Sequence, residues 1–393
     1  MATVSTMKIK SDPTLMTEIR KYGKFNTNAC LQCGSCTVVC ALTNNSTATF
    51  PRRPIQYALM GLKDLLKRGL EPWLCYYCGD CSTTCPRQTE PGEAMMTFRR
   101  YLTAQYDWTG LSRRMYLSKA WEIGALAVIA LGIFLMFYFG GSFSRMGGDH
   151  VSVNTFAPVH WVHYGDWAMA AILAFFLLSN AGRMVYFHLR SEPGLLKLPL
   201  SVWAKELKTF ILHGVTQMRW RVCSESENGG LNLRWLKHLL LVIGYATMLV
   251  LVVFLLPIFQ RDDSAWHWTA IPGYYGTAIL LYFTADAMYG RWKKKEEMHK
   301  HSHSTDWIFL ILLFFTALTG ILLHLFRLVD LTHPTYYMYV IHLMIAVSML
   351  IIEVPFGKWA HLLYRPLAIY IQTVKEHALT EQFKKEEQLI HAA

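Results

Sequence analysis

The sequence predicts an all-α protein in two parts: a helical, ferredoxin-like domain and, after it, a bundle of six membrane-crossing helices. Two observations carry that expectation. Two runs of four cysteines fall within the first 85 residues, among helix-periodic segments with no strand signal around them. From about Trp121 onward the composition changes, and six apolar stretches follow, each near the ~20 residues a helix needs to cross a bilayer. The domain boundaries expected are 1–115, 116–366 and a polar tail over 367–393.

The run Cys75-Tyr-Tyr-Cys78-Gly-Asp-Cys81-Ser-Thr-Thr-Cys85-Pro86 sets its cysteines at offsets of three, three and four, with a proline after the last. That is the bacterial ferredoxin spacing for a [4Fe–4S] cluster, in which the fourth thiolate serves a second cluster. The partner run is Cys30-Leu-Gln-Cys33-Gly-Ser-Cys36-Thr-Val-Val-Cys40. The crossed pattern therefore predicts Cys30, Cys33, Cys36 and Cys85 on one cluster, and Cys75, Cys78, Cys81 and Cys40 on the other. Structural zinc is the competing reading, since paired CxxC motifs also make all-thiolate sites. Zinc does not call for the third cysteine at the next offset of three, present in both runs.

Between the runs, Ile55, Leu59, Leu62, Leu65 and Leu66 recur at helical spacing after Pro54 and before Gly69. Residues 93–106 are again helix-like. Arg87, Arg99, Arg100, Arg113 and Arg114 form an expected basic rim, read as a docking surface or the membrane-facing side, and equally as a solvated face.

Hydrophobic residues make up 53% of the 393 and charged ones 17%, too apolar for an ordinary soluble chain. Net charge is +11, but nothing resembles a nucleic-acid module, so the basic excess is read through membrane topology. No cleavable signal is expected, because the first hundred residues hold no apolar core segment. The six stretches are roughly 120–141, 165–187, 236–258, 270–290, 306–328 and 336–357. Lys and Arg number sixteen in residues 1–119, eight in 188–237, five in 291–305 and five after 357, against one in each of the loops 142–163 and 259–269. Both termini and the cysteine runs are therefore expected in the cytoplasm, at a bacterial inner membrane, where cysteines serve metal or redox chemistry.

Residues 198–221 read as an interfacial amphipathic helix, with Trp203, Leu207, Phe210, Ile211 and Val215 set against Lys205, Lys208 and Arg219. The tract containing His299, His301 and His303 reads as a solvated basic loop, with metal binding as the alternative. Cys223, alone in a polar linker, reads as a free thiol.

Ionisable residues at membrane depth are functional candidates. His342 lies in the sixth stretch, and His361 follows nineteen residues on at the inner end of the same helix, about 28 Å away. They cannot share a metal but suit two stacked haems. His238, at the inner end of the third stretch, matches His361 in depth. For the outer haem, His342 needs a partner at its depth; His324 fits, with His163 and Met248 as alternatives. Glu353 and Asp286 suit proton movement, a quinone contact or helix pairing. Arg183 and Arg327 suit haem propionates or the interface.

The segment from His342 to His361, with Pro355-Phe356 inside it, resembles the last helix of the nitrate reductase gamma subunit. That helix supplies one ligand to each of two b haems, and His238 resembles a ligand on the same family's second helix. The family's other histidine there would fall at Met248. Residues 1–115 resemble the iron–sulfur subunit of heterodisulfide reductase. The fusion is similar to the membrane subunit of the quinone-interacting membrane-bound oxidoreductase (Qmo) complexes of sulfate reducers. The resemblance implies two [4Fe–4S] clusters, b haems, oxidation of menaquinol and cytoplasmic flavin and iron–sulfur partners of the heterodisulfide-reductase-A kind, with adenylylsulfate reductase as final acceptor. Other readings are the membrane arm of a heterodisulfide-reductase-like complex, and a non-redox scaffold or transporter. No nucleophile, triad or phosphate loop stands out.

Overall fold

The computed structural model describes residues 10–26, 29–44, 50–222, 232–262 and 264–392; Cys223 lies outside them. No strand occurs among the described residues. Among the described residues, nine helices of sixteen residues or more carry the architecture: α1 Pro91–Tyr106, α2 Lys119–Phe139, α3 Val159–Ser191, α4 Leu200–Thr216, α5 Leu233–Val253, α6 Ala270–Lys293, α7 Ser304–Leu328, α8 Thr332–Phe356 and α9 His361–Ala392. The chain divides into two compact units. One takes in Met1–Arg113, Asn180–Asn232 and His361–Ala393; the other Arg114–Ser179 and Leu233–Ala360.

The first unit is built on α1. Pro91 opens it, with φ already set for a helix. Ala94, Met95, Phe98, Tyr101 and Leu102 are buried at helical spacing, together with Leu15, Ile19 and Tyr22 from the N-terminal segment. Tyr22 meets Tyr101 edge-on at 5.5 Å, a favoured geometry for ring quadrupoles. The expected basic rim does not form at its centre. Arg100 is buried and pairs with Glu93 at 3.0 Å, and Tyr77 donates its hydroxyl to the same carboxylate. Helix α4 packs on α9, where Tyr370 donates to the Trp203 carbonyl and its ring meets those of Trp203 and Phe210. Leu200, Leu207, Ile211 and Val215 of α4 stay exposed.

In the second unit, α2 packs on α8, α8 on α7, α7 on α6, and α6 on α5. The loop segment from Val151 to Ala157 closes one end, with Phe156 stacked on Tyr336 at 4.7 Å and buried beside Phe137 and Tyr339. Helices α2, α3, α5, α7 and α8 are long and apolar enough to cross a membrane. The fourth expected stretch forms α6, a helix of 24 residues, but falls short of the others in hydropathy. Tyr274, Tyr275, Tyr282, Tyr289 and Asp286 are the reason.

His342 and His361 do not share a helix. Helix α8 ends at Phe356, because Gly357 turns to extended backbone, and a short 3₁₀ turn at Lys358–Ala360 precedes α9. The axial distance of a single helix therefore does not apply to them. The expected boundary between 366 and 367 falls inside α9, which carries Pro366 in its first two turns.

Outside the spans, His150 and Asp330 meet at 2.6 Å, and Val151 N–H donates to the same carboxylate. The bond to Asp330 raises the imidazole above its usual value, and the carboxyl is lowered in return. A raised histidine contributes fully below its unfolded value of about 6.5 and loses that contribution as pH climbs through the higher, folded value. Limited proteolysis of the 142–157 loop is thus expected to be faster at pH about 8.5 than at about 5.5, with Asp330→Asn removing the difference. Equal pH dependence in the variant would reject the tie.

Candidate metal centres

The two cysteine loops are built alike because their sequences are alike. Gln32 and Gly34 in one, and Tyr77 and Gly79 in the other, take positive φ at 54°, 91°, 58° and 101°. Left-handed backbone at alternate residues curls the loop so that successive thiols turn toward one volume, and glycine takes the more strained position without a Cβ penalty. One helical turn follows each loop, Ser35–Val38 and Asp80–Thr83. It carries the last cysteine of each run away from its own loop.

The result is an exchange. Cys30, Cys33, Cys36 and Cys85 line one cavity, with Arg52 and Thr89. Cys40, Cys75, Cys78 and Cys81 line a second, with Phe50 and Tyr76. Among the described residues no three His, Cys, Asp or Glu donors are grouped to hold a single metal ion. A cubane takes one thiolate at each of four separate irons, so its ligands must surround a volume, and these cysteines do.

The two cavities differ electrically. Ser35 hydrogen bonds lower the exposed Cys33 thiol. Burial opposes ionisation of Cys85, but hydrogen bonds from Thr89 and the Arg87 and Gln88 amides prevail and lower it. Burial pushes Cys36 up to about 11. Around the second cavity burial dominates: Cys40 is raised, Cys78 goes up to about 12, and Cys81 rises further. Thiolates held in so dry a place need a cationic centre among them, which iron supplies.

Two arginines serve the second cavity, and neither role was visible from sequence. Arg99, half-buried on α1, donates to the carbonyls of Pro72 and Cys75. Arg365, on α9, donates to the carbonyls of Trp73 at 3.3 Å and Cys75 at 3.1 Å, and lies 4.5 Å over the Tyr76 ring. A contact spanning 290 residues leaves no local pattern to read.

In the second unit His342, His324 and Met248 line one cavity of about 350 Å³, with Asp166, Tyr274 and Arg327. Its size falls in the range of cofactor and ligand pockets. His342 Nδ1 lies 3.0 Å from Thr319 Oγ1, whose own proton goes to the Phe315 carbonyl at 2.7 Å. The histidine then donates from Nδ1 and keeps the Nε2 lone pair, the arrangement a ligating imidazole uses. Gly320 lies under the ring; a Cβ there would stand 3.2 Å from its Cε1. His324 Nε2 is 2.6 Å from the Tyr274 hydroxyl. His163 Nε2 lies 2.9 Å from the Val253 carbonyl and accepts from Trp167.

His238 stands on α5 and His361 opens α9; they belong to different units. Arg183 donates to the Tyr106 carbonyl at 2.7 Å, and Asp286 pairs with Lys237 at 2.7 Å. His303 caps α7 by accepting from the Thr305 amide, a structural task.

Residues 26–89 match the 4Fe–4S dicluster domain family. Over 88 residues the chain is 32% identical to a protein of Archaeoglobus profundus that is itself like the C component of heterodisulfide reductase, covering 22% of this chain and 47% of that one. It is 33% identical over 96 residues to the second C-type iron–sulfur component of the CoB–CoM heterodisulfide reductase of Methanocaldococcus jannaschii, covering 24% and 50%. The N-terminal region is a 4Fe–4S dicluster domain homologous to the C component of heterodisulfide reductase. The match spans about half the length of these two relatives, and no solved structure matches the chain. The names of these relatives place them with heterodisulfide reductase, and the part of this chain that resembles them is the region holding the two cysteine runs.

Exchange of the last cysteines makes a swapped phenotype the expected outcome. Cys85→Ser should disable the centre built on Cys30, Cys33 and Cys36, and Cys40→Ser the one built on Cys75, Cys78 and Cys81. EPR of the reduced variants, with iron and sulfide assays, reads this; damage confined to each variant's own run would reject it. Arg365→Gln removes a cation beside an anionic, thiolate-bound centre and should lower only the second centre's reduction potential. An EPR redox titration with both potentials unmoved would reject that role.

Proposed function

We propose that this chain is the membrane electron-transfer subunit of a quinone-linked oxidoreductase at a bacterial inner membrane, with both termini cytoplasmic. One observation carries the reading: the eight cysteines surround two cavities in the crossed arrangement that a pair of [4Fe–4S] clusters requires. Cys30, Cys33, Cys36 and Cys85 would hold one, and Cys75, Cys78, Cys81 and Cys40 the other. His238 and His361 would hold an inner b haem. His342 would hold an outer one, with His324 or Met248 opposite. When bound, these groups supply one-electron carriers between a two-electron quinol and protein partners.

The chain's own residues have definable tasks. Thr319 engages His342 Nδ1, which would leave Nε2 available to ligate a haem iron. Arg365 follows His361 by four residues, about 6 Å of helix rise, and grips the Cys75 carbonyl. Helix α9 thereby fixes the spacing between a haem ligand and a cluster loop within one unit. The Arg327 side chain, lining the same cavity as His342, offers a cation for a propionate.

Menaquinol is the proposed donor. Cytoplasmic flavin and iron–sulfur subunits of the heterodisulfide-reductase-A kind are the proposed partners, with adenylylsulfate reductase beyond them, as in Qmo complexes. The proposed functional division keeps 1–115 for the clusters, 116–366 for the haems and 367–393 as a cytoplasmic tail. The names of the relatives favour a second reading, the membrane arm of a complex that reduces a heterodisulfide.

The deciding experiment is purification of the intact complex followed by menaquinol oxidation with adenylylsulfate reductase or a heterodisulfide as acceptor. The first reading expects turnover with the former alone. His361→Ala should remove about one haem per chain and stop menaquinol from reducing the clusters, while dithionite still reduces them. Unchanged haem content would reject His361 as a ligand.

A further inference from the structure

Two carboxyl groups in the membrane unit are left over by the redox reading. Glu122, in the first turn of α2, and Glu353, in the last turn of α8, are both fully buried. Their helices pack together, and the two side chains face each other. None of the four oxygens accepts a hydrogen bond from a described donor. Gly357 closes over Glu353, where a Cβ would come within 2.2 Å of Oε2, so the carboxyl is boxed in on that side.

The charged surroundings do not satisfy the pair. On α2, Lys119 is exposed at the helix start. From α7 comes Asp306, another acid, occupied by Lys358 at 2.7 Å and by Arg291 of α6 at 3.9 Å. Lys358 and Arg291 are thus committed to Asp306. The Lys358 main-chain amide lies toward Glu353 but outside hydrogen-bond geometry. Two ionised carboxylates in contact, both shut off from bulk solvent, repel strongly; such pairs are stable when they share a proton. One proton turns two unsatisfied acceptors into a donor and an acceptor.

We propose that Glu122 and Glu353 form a proton-binding site in the membrane unit, holding one shared proton that exchanges with water at the end marked by Lys119 and Lys358. The inference does not depend on the clusters or haems. A site of this kind stores a proton against a change of charge elsewhere in the unit, at no cost in covalent chemistry.

Infrared spectroscopy of the full-length protein in lipid nanodiscs at neutral pH tests it. The wild type should show a carboxylic-acid C=O band that shifts on transfer to D₂O. Glu122→Gln and Glu353→Gln should each shift that band in frequency, because the remaining buried carboxyl keeps its proton while its hydrogen-bond partner changes from a carboxylate to an amide. Asp286→Asn, which alters an acid already paired with Lys237, should leave it intact. A wild-type spectrum with no exchangeable carboxylic-acid band overturns the proposal, and this needs no variant to fold. A band left at the wild-type frequency in either glutamine variant also overturns it, since the proton would then belong to one residue and not to the pair.

Discussion

The structure of the cluster domain depends on a trade of two cysteines. Each run closes three thiols around its own loop and hands the fourth to the other, so Cys40 and Cys85 bind the two runs into one object. Neither cavity is complete without the distant run, 45 residues away in sequence at corresponding cysteines. This makes the centres a structural constraint as much as a chemical one. Helix α1 and the N-terminal segment bury Phe98, Tyr101 and Tyr22 behind the loops, and Glu93, paired with Arg100, receives the Tyr77 hydroxyl from within the second run. The core thus reads the loop conformation directly.

The legible parts were those written in local spacing. The offsets of three, three and four determine a curl, and the structure realises it twice, with positive φ at matching positions. The apolar stretches likewise became helices within a few residues of their expected ends. What spacing cannot show is which helix interruption matters. Gly357 sits after Pro355, and the sequence alone did not reveal that the glycine, not the proline, ends α8 and starts a new helix at His361. Proline is accepted in the last turn, where its neighbours still bond, while the extended backbone at Gly357 cannot continue the ladder.

Charge was the less readable half. Arg99, Arg100 and Arg183 looked like a rim or a haem-facing set. In the fold each finds acceptors within the first unit: carbonyls of Pro72, Cys75 and Tyr106, and the carboxylate of Glu93. An arginine's five donors reward any cluster of outward carbonyls, and loop carbonyls are abundant where a backbone curls around a metal centre. The same curl that aims thiols inward aims carbonyls outward. Arg365 then follows from the cluster loop's geometry, although nothing near residue 365 announces it.

The membrane unit extends that logic to acids. Asp286 and Asp306 each hold a lysine partner at 2.7 Å, near helix ends where such side chains reach water. Among the described residues, Glu122 and Glu353 accept no hydrogen bond and face one another. An apolar bundle tolerates a buried carboxyl when a proton neutralises it, and two carboxyls side by side need just one proton between them to satisfy both. The difference between paired and unpaired acids therefore separates anchoring from proton holding. It does so by the chemistry of the partner, since a lysine fixes charge in place, whereas a second carboxyl lets it move.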